Sequence, residues 1–104
     1  MTSTLNIQRS HGGQCVRVTL NRPEVRNAFN DGVIAELTEA FRNLGADPQL
    51  RAIVLGGHGK AFCAGADLGW MRAMSGYSWA ENQADAARLA EMLWTIWNCP
   101  LPVV

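Results

Sequence analysis

Lysine is nearly absent from this 104-residue sequence: Lys60 stands alone beside eight arginines. The nine basic residues meet nine acidic ones, so the formal net charge is zero. No cationic field is available to hold nucleic acid or an anionic membrane surface. Cysteine is scarce and odd in number. Cys15, Cys63 and Cys99 form no CxxC pair, which argues against a disulfide framework or a zinc site and fits a reducing compartment. No apolar run approaches the ~20 residues that cross a bilayer. The opening five residues lack the basic and apolar regions of a signal peptide. The expectation is a cytoplasmic protein with no metal, and with neither nucleic acid nor membrane among its partners. What is present is globular: 48% apolar and 17% charged residues, in a length that allows one domain.

Leu5 and Ile7 alternate with polar neighbours, and so do Val16, Val18 and Leu20, with His11-Gly12-Gly13-Gln14 between the two runs. This predicts an antiparallel hairpin with one buried face, stopped by Pro23. Val33, Leu37, Ala40, Phe41 and Leu44 fall on one stripe of a helix over residues 31–44, with Asn30 as its cap and Gly45 just past its end. Residues 51–55 read as a short strand covered on both faces. A helical stretch through residue 74, started by Asp67, and a helix over residues 79–98, opened by the capping box of Ser78 and Glu81, complete the elements. Met92, Leu93, Trp94, Ile96 and Trp97 make the end of the last helix apolar almost all round, so it is expected to be covered on several sides. The sequence then stops on Leu101-Pro102-Val103-Val104, as another buried strand begins. That predicts the N-terminal part of a longer protein; a short protein with an apolar last strand is the alternative.

The most informative segment follows the 51–55 strand. Residues 56–69 hold five glycines and three alanines, so the backbone there is kept bare. Neither a phosphate-binding P-loop nor a dinucleotide fingerprint fits: Ala61 stands where the P-loop needs Ser or Thr, and Phe62 where the fingerprint needs its third glycine. Bare backbone serves either a tight connection, close approach of a ligand, or N–H groups aimed at developing negative charge. Asp67 reads as a helix cap, with a general base or ligand contact as the alternatives. Cys63 reads as a packed thiol, and His11 and His58 as exposed turn residues. Arg26 and Lys60 are surface charges able to pair with a phosphate.

Two runs of residues carry a resemblance. Leu20-Asn21-Arg22-Pro23-Glu24-Val25-Arg26-Asn27-Ala28-Phe29-Asn30 is followed, after a helix and a strand, by Lys60-Ala61-Phe62-Cys63-Ala64-Gly65-Ala66-Asp67-Leu68. Together they closely resemble the enoyl-CoA hydratase/isomerase (crotonase) family, over about residues 14 to 104. The stretch from Asp67-Leu68-Gly69-Trp70-Met71 through Ala90-Glu91-Met92-Leu93 is most similar to members acting on branched, carboxylated enoyl-CoAs, such as methylglutaconyl-CoA hydratases.

The resemblance implies an α/β fold, a crotonase-like spiral of ββα units, of which residues 1–104 form only the N-terminal part. It implies an enoyl-CoA hydratase, a lyase that stabilises an enolate oxyanion, with an isomerase or thioester hydrolase on the same fold as alternatives. Its partner is an acyl-CoA thioester, coenzyme A entering as part of the substrate with no separate cofactor, and it assembles as a homo-trimer or hexamer. Ala64 would give its backbone N–H as one of two oxyanion donors, with Gly65, Ala66, Asp67 and Leu68 lying along coenzyme A. The Arg26-Asn27-Ala28 segment would line the channel, Arg26 and Lys60 near the phosphates, and Trp70 and Met71 would approach the acyl end. The family's second donor and its paired glutamates come from further along the chain, so these residues alone are expected to be inactive. A non-catalytic CoA-binding or assembly module is the alternative.

Overall fold

The computed structural model describes residues 4–104. Strand β1 (Leu5–Ser10) runs antiparallel to β2 (Cys15–Leu20), and β3 (Ala52–Gly57) lies parallel to β2 on its other side. The hairpin turns through His11–Gly13, with His11, Gly12 and Gly13 all at positive φ. Helix α1 (Asp31–Gly45) makes the crossover that a parallel pair requires. Two more helices follow, α2 (Leu68–Met74) and α3 (Trp79–Trp97).

Alternation along β2 puts Val16, Val18 and Leu20 on one face, and the parallel register sets Val16 beside Ile53. All four are buried against the stripe of α1, where Val33, Ile34, Leu37, Phe41 and Leu44 are also buried. At roughly 1.5–3 kcal/mol for each large apolar side chain withdrawn from water, this single cluster holds the domain together. The Asn30 side chain caps α1 by accepting from Val33 N at 2.9 Å. Ser78 and Glu81 form the reciprocal capping box of α3. An ion pair between Arg42 and Glu91 links α1 to α3.

Four expectations need correction. Ile7, on the edge strand, is 47% exposed although its neighbour on the same face, Leu5, is buried. Strand β3 is incompletely covered: Ile53 is buried, but Leu55 on the same face and Ala52 and Val54 on the other are half-buried. Gly45 is the last residue of α1 rather than a left-handed residue beyond it. Its value is clearance, since a Cβ there would lie 3.3 Å from Pro100 Cδ. Finally, Met92 is buried but Leu93, Trp94 and Trp97 are exposed, Trp97 by 82%, because among the described residues α1 is the element packed most extensively against α3.

The last residues do form a strand-like pairing: Ile53 N donates to Pro102 O at 2.9 Å and Val104 N to Ile53 O at 3.0 Å. They run parallel to β3 at its outer edge, but Val104 is 82% exposed, so the expected burial is not met. Among the described residues no helix is long and apolar enough to cross a membrane.

Truncating Leu37 to alanine should cost about 2–5 kcal/mol, against about 1 kcal/mol for Asn30→Ala, which removes only a cap. Urea denaturation followed by far-UV circular dichroism checks both; equal losses would contradict a core centred on the α1 stripe.

Candidate functional site

The glycine-rich loop between β3 and α2 lies against the turn that follows β2, and the contact begins with proline. Pro23 opens a single 3-10 turn, Pro23–Val25, after which Arg26 and Asn27 both take left-handed backbone, at φ 53° and 57°. Two such residues in succession are costly unless something holds them. The Asn27 side chain does so. It is 1% exposed; its Oδ1 accepts from Arg22 N at 2.8 Å, and its Nδ2 donates to His58 O at 2.8 Å and Ala61 O at 2.9 Å. Opposite it, Gly57 is obligatory: a Cβ would stand 2.7 Å from Phe62 O and 2.9 Å from Asn27 Nδ2.

Three backbone bonds then join the two segments. Ala64 N donates to Arg26 O at 3.0 Å, Phe29 N to Gly65 O at 2.7 Å, and Asp67 N to Phe29 O at 2.7 Å. The last two make a parallel bridge between Phe29 and Ala66. In such a bridge one residue uses both its N–H and its C=O, and its opposite number directs both away. Phe29 is the bound residue. The N–H of Ala66 therefore points to the far side, where it has no hydrogen-bond partner among the described residues.

Ala66 itself lines an open cleft of about 640 Å3, together with Glu24, Val25, Arg26 and Ala28 from one segment and Ala64, Asp67, Leu68 and Gly69 from the other. Six of the eight expected site residues therefore come together: Arg26, Ala28, Ala64, Ala66, Asp67 and Leu68. Lys60 and Gly65 do not line it. Lys60 is exposed in the turn after β3, and Gly65 gives its carbonyl to Phe29. The expected role of Ala64 as oxyanion donor is corrected, because its amide hydrogen is already spent on Arg26 O. The free amide is two residues on, at Ala66. Trp70, expected toward the acyl end, is buried in the core cluster, while Met71 is exposed.

Asp67 caps α2, as its position before an apolar turn suggested: Oδ1 accepts from Trp70 N at 3.0 Å. Its other oxygen accepts from Arg22 Nη2 at 3.1 Å, while Arg22 Nη1 donates to Ala28 O at 2.7 Å. The hydrogen bond from Trp70 N, helped by Arg22 and opposed by partial desolvation, holds the Asp67 carboxyl below the usual carboxylate range. Asn27, expected with Arg26 and Ala28 to line the channel, is instead buried as the clasp of the turn, and the brace formed by Arg22 is a further role the sequence did not suggest. Asparagine tolerates left-handed backbone in a proline-initiated turn, which is a usable signal for Asn27. Arg22 meets a partner 45 positions away, and local sequence carries no trace of that.

The enoyl-CoA hydratase/isomerase family profile matches residues 11–104. A Mycobacterium bovis protein named as a probable enoyl-CoA hydratase is 47% identical over 87 residues, which are 84% of this chain and 32% of that protein. The crystal structure of an enoyl-CoA hydratase from Mycobacterium smegmatis superposes with a TM-score of 0.89 at 39% identity, covering 98% of this chain and 38% of that one. An enoyl-CoA hydratase from Shewanella pealeana superposes with a TM-score of 0.90 at 30% identity, over 96% of this chain and 37% of its own. The chain thus spans about a third of the length of these relatives. It belongs to the enoyl-CoA hydratase/isomerase family and has the crotonase fold.

Proposed function

We propose that this chain is the N-terminal, acyl-CoA-binding part of an enoyl-CoA hydratase, and that it holds a thioester with its carbonyl oxygen on the Ala66 N–H. The unpartnered Ala66 amide in the wall of the cleft carries this reading. Adding water across an enoyl thioester pushes negative charge onto the carbonyl oxygen. A fixed N–H donor at that oxygen lowers the barrier by about 3 kcal/mol. The small side chains at positions 64 to 66 let the thioester reach the backbone, and all three residues are exposed. Arg26 is the one cation among the residues lining the cleft and is suited to a phosphate of coenzyme A. Coenzyme A enters with the substrate, and the reading needs no separate cofactor.

The cleft also limits what the chain does by itself. Of its two carboxylates, Asp67 is committed to Trp70 and Arg22, which leaves Glu24 without a carboxylate partner for acid/base work. The chain therefore binds and orients the thioester, and proton transfer falls to residues further along the family's sequence. A branched, carboxylated acyl group is supported by the resemblance over residues 67–93, and assembly into trimers or hexamers and a cytoplasmic location by the family resemblance and composition.

Titrating the 15N-labelled chain with crotonyl-CoA should move the Ala66 amide proton downfield, while free coenzyme A leaves it in place and Ala64 responds to neither. An unresponsive Ala66 amide would remove the reading. In the same samples crotonyl-CoA should persist at its uncatalysed rate; turnover like that of a whole hydratase would contradict the division of labour.

Asp67 makes this loop sensitive to acid. Its folded-state pKa is depressed, so the cap it provides is fully present above the ordinary carboxylate range and is lost as pH falls through the depressed value. Acidification should therefore shift the Trp70 amide resonance with the Asp67 carboxyl titration. Asp67→Asn, which caps without charge, should abolish that pH dependence; its survival would assign the shift to another group.

A further inference from the structure

The proposed oxyanion amide lies among the small residues 64–66, which have little side-chain bulk of their own, so something else must fix where it points. The cleft's two walls meet at the Phe29–Ala66 bridge, and one side chain spans that junction. Arg22 stands before the Pro23–Val25 turn with its side chain only 18% exposed. One arm of its guanidinium binds Ala28 O, one residue before the bridge; the other binds Asp67 Oδ2, one residue after it. The same carboxylate caps α2 through Trp70 N. A planar fork that donates to two partners at once fixes their separation, which a single ammonium cannot do.

We infer that Arg22 is a positioning residue for thioester binding: by tying Ala28 O to the Asp67 carboxylate it holds the two walls in the register that leaves the Ala66 N–H open to the cleft. This rests on the reading of Ala66 given above. Arg22 is not among the residues lining the cleft and touches no ligand in this account. Its effect passes through the loop. Without it the 67 carboxylate loses its charge-assisted partner and the Ala28 carbonyl its donor, so the bridge loses its outer brace while the Asn27 clasp stays intact.

The distinguishing quantity is the ratio of affinities for crotonyl-CoA and free coenzyme A, measured by isothermal titration calorimetry on the full chain. A purely structural arginine would weaken both ligands together and leave the ratio alone. Arg22→Met should cut crotonyl-CoA affinity by about tenfold while free coenzyme A stays within about twofold, the size expected for losing a hydrogen bond to a charged group. Arg22→Lys should recover part of the ratio. Should Arg22→Met fail to fold, Asp67→Asn removes the ion pair while keeping an acceptor for Trp70 N, and it should lower the ratio alike.

An unchanged ratio in whichever of these variants folds would overturn the inference and leave the Ala66 reading standing, provided the wild-type Ala66 amide responds to crotonyl-CoA. If the wild-type chain itself fails to distinguish crotonyl-CoA from coenzyme A, the Ala66 reading falls, and the inference with it.

Discussion

A single parallel bridge, Phe29 against Ala66, decides what this site can do. Because Phe29 uses both of its backbone groups, Ala66, which lines the cleft, is left with both of its own directed away from Phe29. The bond from Ala64 N to Arg26 O extends the same seam, which is why two neighbouring alanines of one motif differ so sharply. One amide is structural and the other is free. Everything around the seam keeps that distinction in place: the Asn27 amide clasps the ends of the turn, the absent side chain of Gly57 lets it approach, and Arg22 braces the far side.

The elements were largely legible because their periods are strong. The α1 stripe and the β2 alternation predict burial that the structure repeats at Val33, Leu37, Phe41 and Leu44 and at Val16, Val18 and Leu20, while Ala40 is half-buried and Ile34 is buried as well. The caps at Asn30, Asp67 and Ser78 were readable from residue type and spacing alone. The site was legible as a region rather than as an atom. Small residues at 64 to 66 identify where the backbone is bare, but which amide is free depends on a partner strand more than thirty positions earlier. No periodicity within residues 56–69 encodes that register. The contact from Arg22 to Asp67 is invisible for the same reason.

Burial failed where the reading assumed neighbours that this chain does not supply. A strand apolar on both faces and a helix apolar almost all round predict two covering layers, and the described residues provide one. Val54 and Leu55 remain half-buried, and Leu93, Trp94 and Trp97 face outward. The pattern is informative even so: the core face of the sheet is covered except at Ile7 and, in part, Leu55, and the cleft is built from elements tied directly to it through β2 and β3.

A crystal structure of the chain with acetoacetyl-CoA bound tests the central claim most directly. The account predicts the thioester oxygen about 3 Å from Ala66 N, with Ala64 N still bonded to Arg26 O. A carbonyl bound elsewhere, or an Ala64 amide released from Arg26 to meet it, would contradict the account.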